Sequence, residues 1–139
     1  MHLNTEHRKL LVDEFRYAAK KIRESEYPEL KLFYFSVTYG VLSRIFNLQY
    51  NPQLVFMHLV LNNAYGNISA RVQAIKTGDI VVQLSNEYFS LLAGYVEVLS
   101  NQIEADEDTY KTLEKIALLT FLTTGNGYYL FQKGVIKFE

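Results

Sequence analysis

The stretch NPQLVFMHLVLNNAYGNISARVQAIKTG, residues 51–78, decides the fold class. Leu54, Met57, Leu61, Ala64, Ile68, Val72 and Ile75 are spaced 3, 4, 3, 4, 4 and 3. That is the 3.6-residue period of a helix, not the alternation of a strand. Asn51-Pro52 marks the start, because asparagine caps a helix and proline suits a first position whose N–H would be unpaired anyway. Lys76 and Gly78 supply the stop. The pattern predicts a helix over 52–77, about 37 Å long at 1.5 Å per residue, which forms the spine.

Reading outward, Leu11, Phe15, Ala18 and Ile22 share one face of a first helix over 5–25, with charges on the rest. Pro28 opens a second helix over 28–47. Its segment LFYFSVTYGVLS, residues 32–43, carries no charge and so belongs near the centre. Ser36, Gly40 and Ser43 form a small-residue stripe along it, which would let another helix come close. Ser85 caps a fourth helix over 86–104, with Leu84 and Phe89 placed as a hydrophobic staple. Asp106 or Asp108 caps a fifth over 107–124, which Gly125 ends. The expectation is an all-α, single-domain bundle of about five helices spanning 1–139. The ending YYLFQKGVIKF, residues 128–138, reads as a short β-hairpin with Gly134 in the left-handed position. The competing expectation is a last helix running through the glycines to about Lys133.

Fourteen basic and fifteen acidic residues give a net charge of −1. That lacks the basic excess which non-specific phosphate binding needs, so nucleic acid is not the expected partner. There is no cysteine, which excludes disulfides, thiolate nucleophiles and zinc–thiolate sites. The first twenty residues carry charges throughout and lack the apolar core of a secretion signal, so a cytoplasmic protein is expected. Residues 45–70 contain no Asp, Glu, Lys or Arg. A membrane span does not explain them, since Asn47, Gln49, Asn51, Gln53, Asn62, Asn63 and Asn67 lie inside. A buried protein–protein surface does, because interface cores lose charge while keeping aromatic and neutral polar groups.

Few residues offer chemistry. Gly125-Asn126-Gly127 lacks the third glycine of a dinucleotide loop and the Gly-Lys-Ser/Thr of a P-loop, so no phosphate site is assigned. The histidines His2, His7 and His58 belong to no metal-binding pair, and no metal or cofactor is expected. His58, Asn62, Tyr65 and Ser69 follow at spacings of 4, 3 and 4, a polar strip beside the apolar face, with Arg71 half a turn on. The strip reads as a hydrogen-bonded seam at a helix or subunit contact, or as a small ligand pocket. Arg44 is the only charge between Lys31 and Arg71. It suits an anionic ligand or, by preference, a carboxylate such as Glu87 or Glu97. Ser43 and Ser69 are not in a nucleophile elbow. The candidate ligand-binding set is thus Arg44, His58, Asn62, Tyr65 and Arg71, with no catalytic residue.

The stretch VDEFRYAAKKIRESEYPELKLFYFSVTYGVLSRIF, residues 12–46, pairs an amphipathic helix with an aromatic, small-residue helix across a tyrosine-bearing turn. In this it resembles the HEPN family (higher eukaryote and prokaryote nucleotide-binding domains). Ribonuclease members carry an arginine followed four to six residues later by histidine, a pair no arginine of this chain has. The resemblance therefore implies a non-catalytic binding partner. The sequence as a whole favours a non-enzymatic, self-associating helical protein, a dimer first. The alternatives are a small-molecule or nucleotide-binding bundle, or a small helical subunit of a nucleic-acid-processing assembly using Arg8, Lys9, Arg16, Lys20 and Arg23.

Overall fold

The computed structural model describes residues 2–76 and 84–137. Among the described residues the chain forms six helices and no strand: α1 (Thr5–Glu24), α2 (Pro28–Phe46), α3 (Pro52–Lys76), α4 (Asn86–Glu104), α5 (Tyr110–Phe121) and α6 (Gly125–Gln132). The spine is α3, and Leu54, Met57, Leu61, Ala64, Ile68 and Val72 of its periodic series are buried. The side chain of Ile75 and the expected stop at Gly78 lie outside the described residues. Asn51 caps α3 as the sequence implies: its Oδ1 accepts from the N–H groups of Gln53 (2.9 Å) and Leu54 (3.3 Å). The cap is itself buried, and Asn51→Ala removes the acceptor of both donors, of which the Leu54 N–H is buried. That substitution is expected to cost about 1–2 kcal/mol, read as a lower urea midpoint with an unchanged slope.

The helices form a closed ring in the order α4, α1, α2, α3, α5, with α5 returning to α4. Named contacts give the directions. Arg23 meets Glu97 (2.8 Å), Arg16 meets Glu104 (3.0 Å) and Arg8 meets Asp106 (3.7 Å), so α1 and the α4 segment run antiparallel. Ser43 meets His58 and, one turn earlier on α2, Tyr39 meets Tyr65 two turns later on α3, again antiparallel. Phe56 stacks on Tyr110 near the starts of α3 and α5, and Arg71 bonds the Thr123 carbonyl near their ends, so these two run parallel. The exposed ion pairs contribute little stability each; what they specify is the register of α1 on α4.

Helix ends are satisfied by donors from neighbouring elements. Lys31 is buried, and its Nζ donates to the Ile22 carbonyl (2.6 Å) in the last turn of α1. A cation there answers the negative end of the helix dipole, while burial pushes the ammonium pKa down. At the end of α5 the Thr123 N–H bonds Thr120 instead of its helical partner Leu119. The Tyr88 hydroxyl of α4 donates to the Leu119 carbonyl (2.8 Å) in its place. Asp108 Oδ1 accepts from the Tyr110 N–H (2.7 Å), so it opens α5, three residues later than expected. Asp106 instead closes α4 in the left-handed conformation (φ 57°), with Glu107 N–H returning to the Gln102 carbonyl.

The expected hairpin over 128–138 is not formed by residues 128–137, which hold α6 and its stop; Phe138 lies outside the described residues. Thr124 caps α6, its hydroxyl accepting from the Gly127 N–H (3.0 Å), which recruits both glycines into the first turn. Gly127 is there because the backbone of α5 comes too close for a side chain. An added Cβ would overlap the Phe121 carbonyl oxygen and sit 2.6 Å from its carbon and 2.9 Å from Leu122 Cα. Gly134 is left-handed as the hairpin required (φ 76°), but it ends a helix. Gly134 N–H bonds Phe131 and Val135 N–H bonds Leu130, the paired bonds of a Schellman stop. α6 lays Tyr128 and Phe131 against the core.

Candidate functional site

Where α2 crosses α3, their sequences place aromatic and neutral polar groups on facing sides. Ser43 Oγ lies 2.9 Å from His58 Nε2 and 3.1 Å from the Tyr39 carbonyl. The hydroxyl has one proton to give. Ser43 either gives that proton to the Tyr39 carbonyl and accepts from a His58 Nε2–H, or gives it to an unprotonated Nε2, according to the imidazole tautomer. Ser43 also sits inside a helix, where neighbouring N–H groups are engaged and cannot hold an oxyanion. The His58 ring packs edge-on against Phe46 (5.3 Å between centroids) and Tyr39 (6.0 Å), and Tyr39 meets Tyr65 at 5.3 Å. Burial, and then the neighbouring Tyr65, push the Tyr39 phenol above its ordinary pKa. The geometry is that of a seam holding two helices in register.

The five expected ligand residues do not converge. His58 and Tyr65 are half-buried in the seam, and Asn62 between them points outward and is exposed. Arg71 lies about 20 Å from His58 along α3 at 1.5 Å per residue, bonded to the Thr123 carbonyl. Arg44 does not pair with Glu97, which Arg23 of α1 occupies. It stands exposed at the end of α2, with no hydrogen bond or ion pair among the described residues, Glu87 included. The physical reason is angular: Arg44 shares the outward arc of α2 with Phe33 and Gly40, while α4 lies beyond α1. A groove of about 380 Å³ between the starts of α3 and α5 is lined by Pro52, Gln53, Phe56, Asp108, Thr109 and Tyr110, and by none of the five.

The basic strip of α1 is also engaged. Arg8, Arg16 and Arg23 meet acids at the α4 side, and Lys9 and Lys20 pair with Asp13 and Glu24 one turn on. Arg16 in turn holds the Glu104 carboxyl below its ordinary pKa, through its hydrogen bond first and its charge second. Among the described residues no group of three His, Asp or Glu side chains is placed to hold a metal ion, and no helix is long and apolar enough to cross a membrane. The chain has no match among protein-family models, curated proteins or solved structures.

What the polar strip did not reveal is the outward surface beside it. Phe33 is 59 % exposed on α2 and Leu59 is 60 % exposed on α3. Seven residues after each comes a glycine, Gly40 and Gly66, where an added Cβ would meet nothing within 4 Å. The signal was available as a helical wheel: positions seven apart share a face, and neither glycine falls on its helix's buried stripe.

Proposed function

We propose that this chain is a non-enzymatic, self-associating helical protein, a dimer, that works through protein–protein contacts. The observation that carries this is the outward face of α2 and α3. Between Lys31 and Arg71 only Arg44 is charged, yet Phe33 and Leu59 stand in solvent, each two turns before a glycine on the same helix face. An exposed apolar face depleted of charge and holding large side chains has the composition of an interface core. The ligand-binding alternative needs Arg44, His58 and Arg71 around one cavity, and they lie on separate surfaces. The nucleic-acid alternative needs free cations on α1, and they are paired with acids.

Sedimentation velocity at micromolar concentration tests the proposal. The expected species has twice the 16.1 kDa mass of the chain. A single 16.1 kDa monomer over the whole concentration range would overturn it.

A further inference from the structure

The groove of about 380 Å³ between the starts of α3 and α5 is built from two capped helix ends. Asn51 fixes the start of α3, which carries Gln53 and Phe56, and Asp108 fixes the start of α5, which carries Tyr110. The two rings stack nearly parallel, at 12° with 5.8 Å between centroids. Phe56 is nevertheless 42 % exposed and Tyr110 57 % exposed, so stacking leaves much of each ring open to solvent. Thr109, between Asp108 and Tyr110 in the chain, is the opposite case. It lines the groove and is only 6 % exposed, and its hydroxyl makes no hydrogen bond among the described residues. Buried polar groups are normally paired, so this hydroxyl points to a partner that the chain does not supply. Asp108 gives Oδ1 to the Tyr110 N–H and forms no ion pair among the described residues, which leaves Oδ2 for a ligand.

The chemistry of the wall selects the ligand. Asp108 carries the only charge in the lining, and Lys111 lines the adjoining groove instead. Helix starts attract anions in general. Here the N–H groups of Gln53, Leu54 and Tyr110 are already taken by Asn51 and Asp108, and an anion would stand against the carboxylate. A cation meets the carboxylate and the aromatic faces together. A guanidinium suits them best, being flat and weakly hydrated, with its N–H donors in one plane, so that it stacks on a ring while donating at its edge. We propose that this groove binds a small guanidinium compound, its plane on the Phe56–Tyr110 stack and its edge donating to Asp108 and Thr109. The volume falls within the range of about 300–1,000 Å³ common for small-molecule sites. The site does not depend on self-association, because its walls all come from one chain.

Titrating the full chain with agmatine, and following the amide NMR shifts, tests the proposal. Putrescine, which carries an ammonium in place of the guanidinium, and inorganic phosphate are the comparison ligands. The amides of Phe56, Thr109 and Tyr110 should shift saturably with agmatine, and putrescine should bind about tenfold more weakly. Asp108→Asn keeps an oxygen for the Tyr110 N–H, so its melting temperature should hold. Its agmatine dissociation constant should rise about tenfold or more, as should that of Tyr110→Ala. Four results would each overturn the proposal: no shift of these amides at millimolar agmatine, putrescine binding as tightly, D108N binding like the unchanged chain, or phosphate moving these amides in agmatine's place.

Discussion

Gly127→Ala should lower the melting temperature by roughly 10 °C, about 3 kcal/mol for a domain of this size. Two residues earlier, Gly125→Ala should leave it unchanged or raise it. The substitutions are chemically identical and sit in the same turn of α6. They differ in what the new methyl meets. At Gly125 nothing lies within 4 Å, so alanine gains its helix preference without a clash. At Gly127 the methyl overlaps the backbone of Phe121 and comes within 2.9 Å of Leu122. Backbone cannot rotate aside as a side chain can, so α6 must lift away from α5. Lifting it strains the Thr124 cap and uncovers Tyr128 and Phe131, which lie against the core. Equal melting temperatures for the two variants would mean that α6 does not seat as described.

That contrast also explains why the end of the chain was the least legible part of the fold. Glycine is a poor helix former, so Gly-Asn-Gly between apolar runs suggests a break. Two facts outweigh propensity here: Thr124 caps the turn, and the close approach to α5 accepts only glycine. The first is written in the sequence as a threonine before the glycines. The second depends on where α5 ends in space, and no local pattern carries it. By contrast α3 was legible from its cap to Val72, because Asn51-Pro52 and a sustained 3.6-residue period agree with each other and with its burial.

The candidate site was legible on one side only. Periodicity set His58 and Tyr65 beside the apolar face of α3, and that is where they lie. It could not name their neighbours Tyr39, Ser43 and Phe46, which arrive from α2 through tertiary packing. Arg44 shows the opposite error. A lone arginine in an apolar segment suggests a buried ion pair, but its angular position puts it on the outward arc. The charge-free stretch that suggested an interface is thus divided by the fold. One side of it, with His58 and Tyr65, forms the α3 half of the seam, and the other, with Leu59 and Gly66, faces solvent.

Tyr88→Phe is expected to destabilise the protein by about 2 kcal/mol at neutral pH, and the loss should shrink as pH rises. The Tyr88 hydroxyl is buried and donates to the Leu119 carbonyl at 2.8 Å. Phenylalanine fills the space but leaves that carbonyl short of a donor, away from water. Burial also drives the Tyr88 phenol far above its ordinary pKa of 10.0. Above pH 10 the unfolded chain therefore gives up a proton that the folded chain keeps. The native state then binds more protons, and stability falls by about 1.4 kcal/mol per pH unit for this group. Below that pH the contribution is fully present. The variant lacks the group, while Tyr39, also raised, and Lys31, lowered, titrate in both proteins and cancel in the difference. Urea unfolding of the two proteins should give stabilities about 2 kcal/mol apart at neutral pH and converging by about pH 11. Parallel curves across that range would show that Tyr88 titrates alike in the folded and unfolded chains, and that its hydroxyl is not the closed, water-free donor to the end of α5.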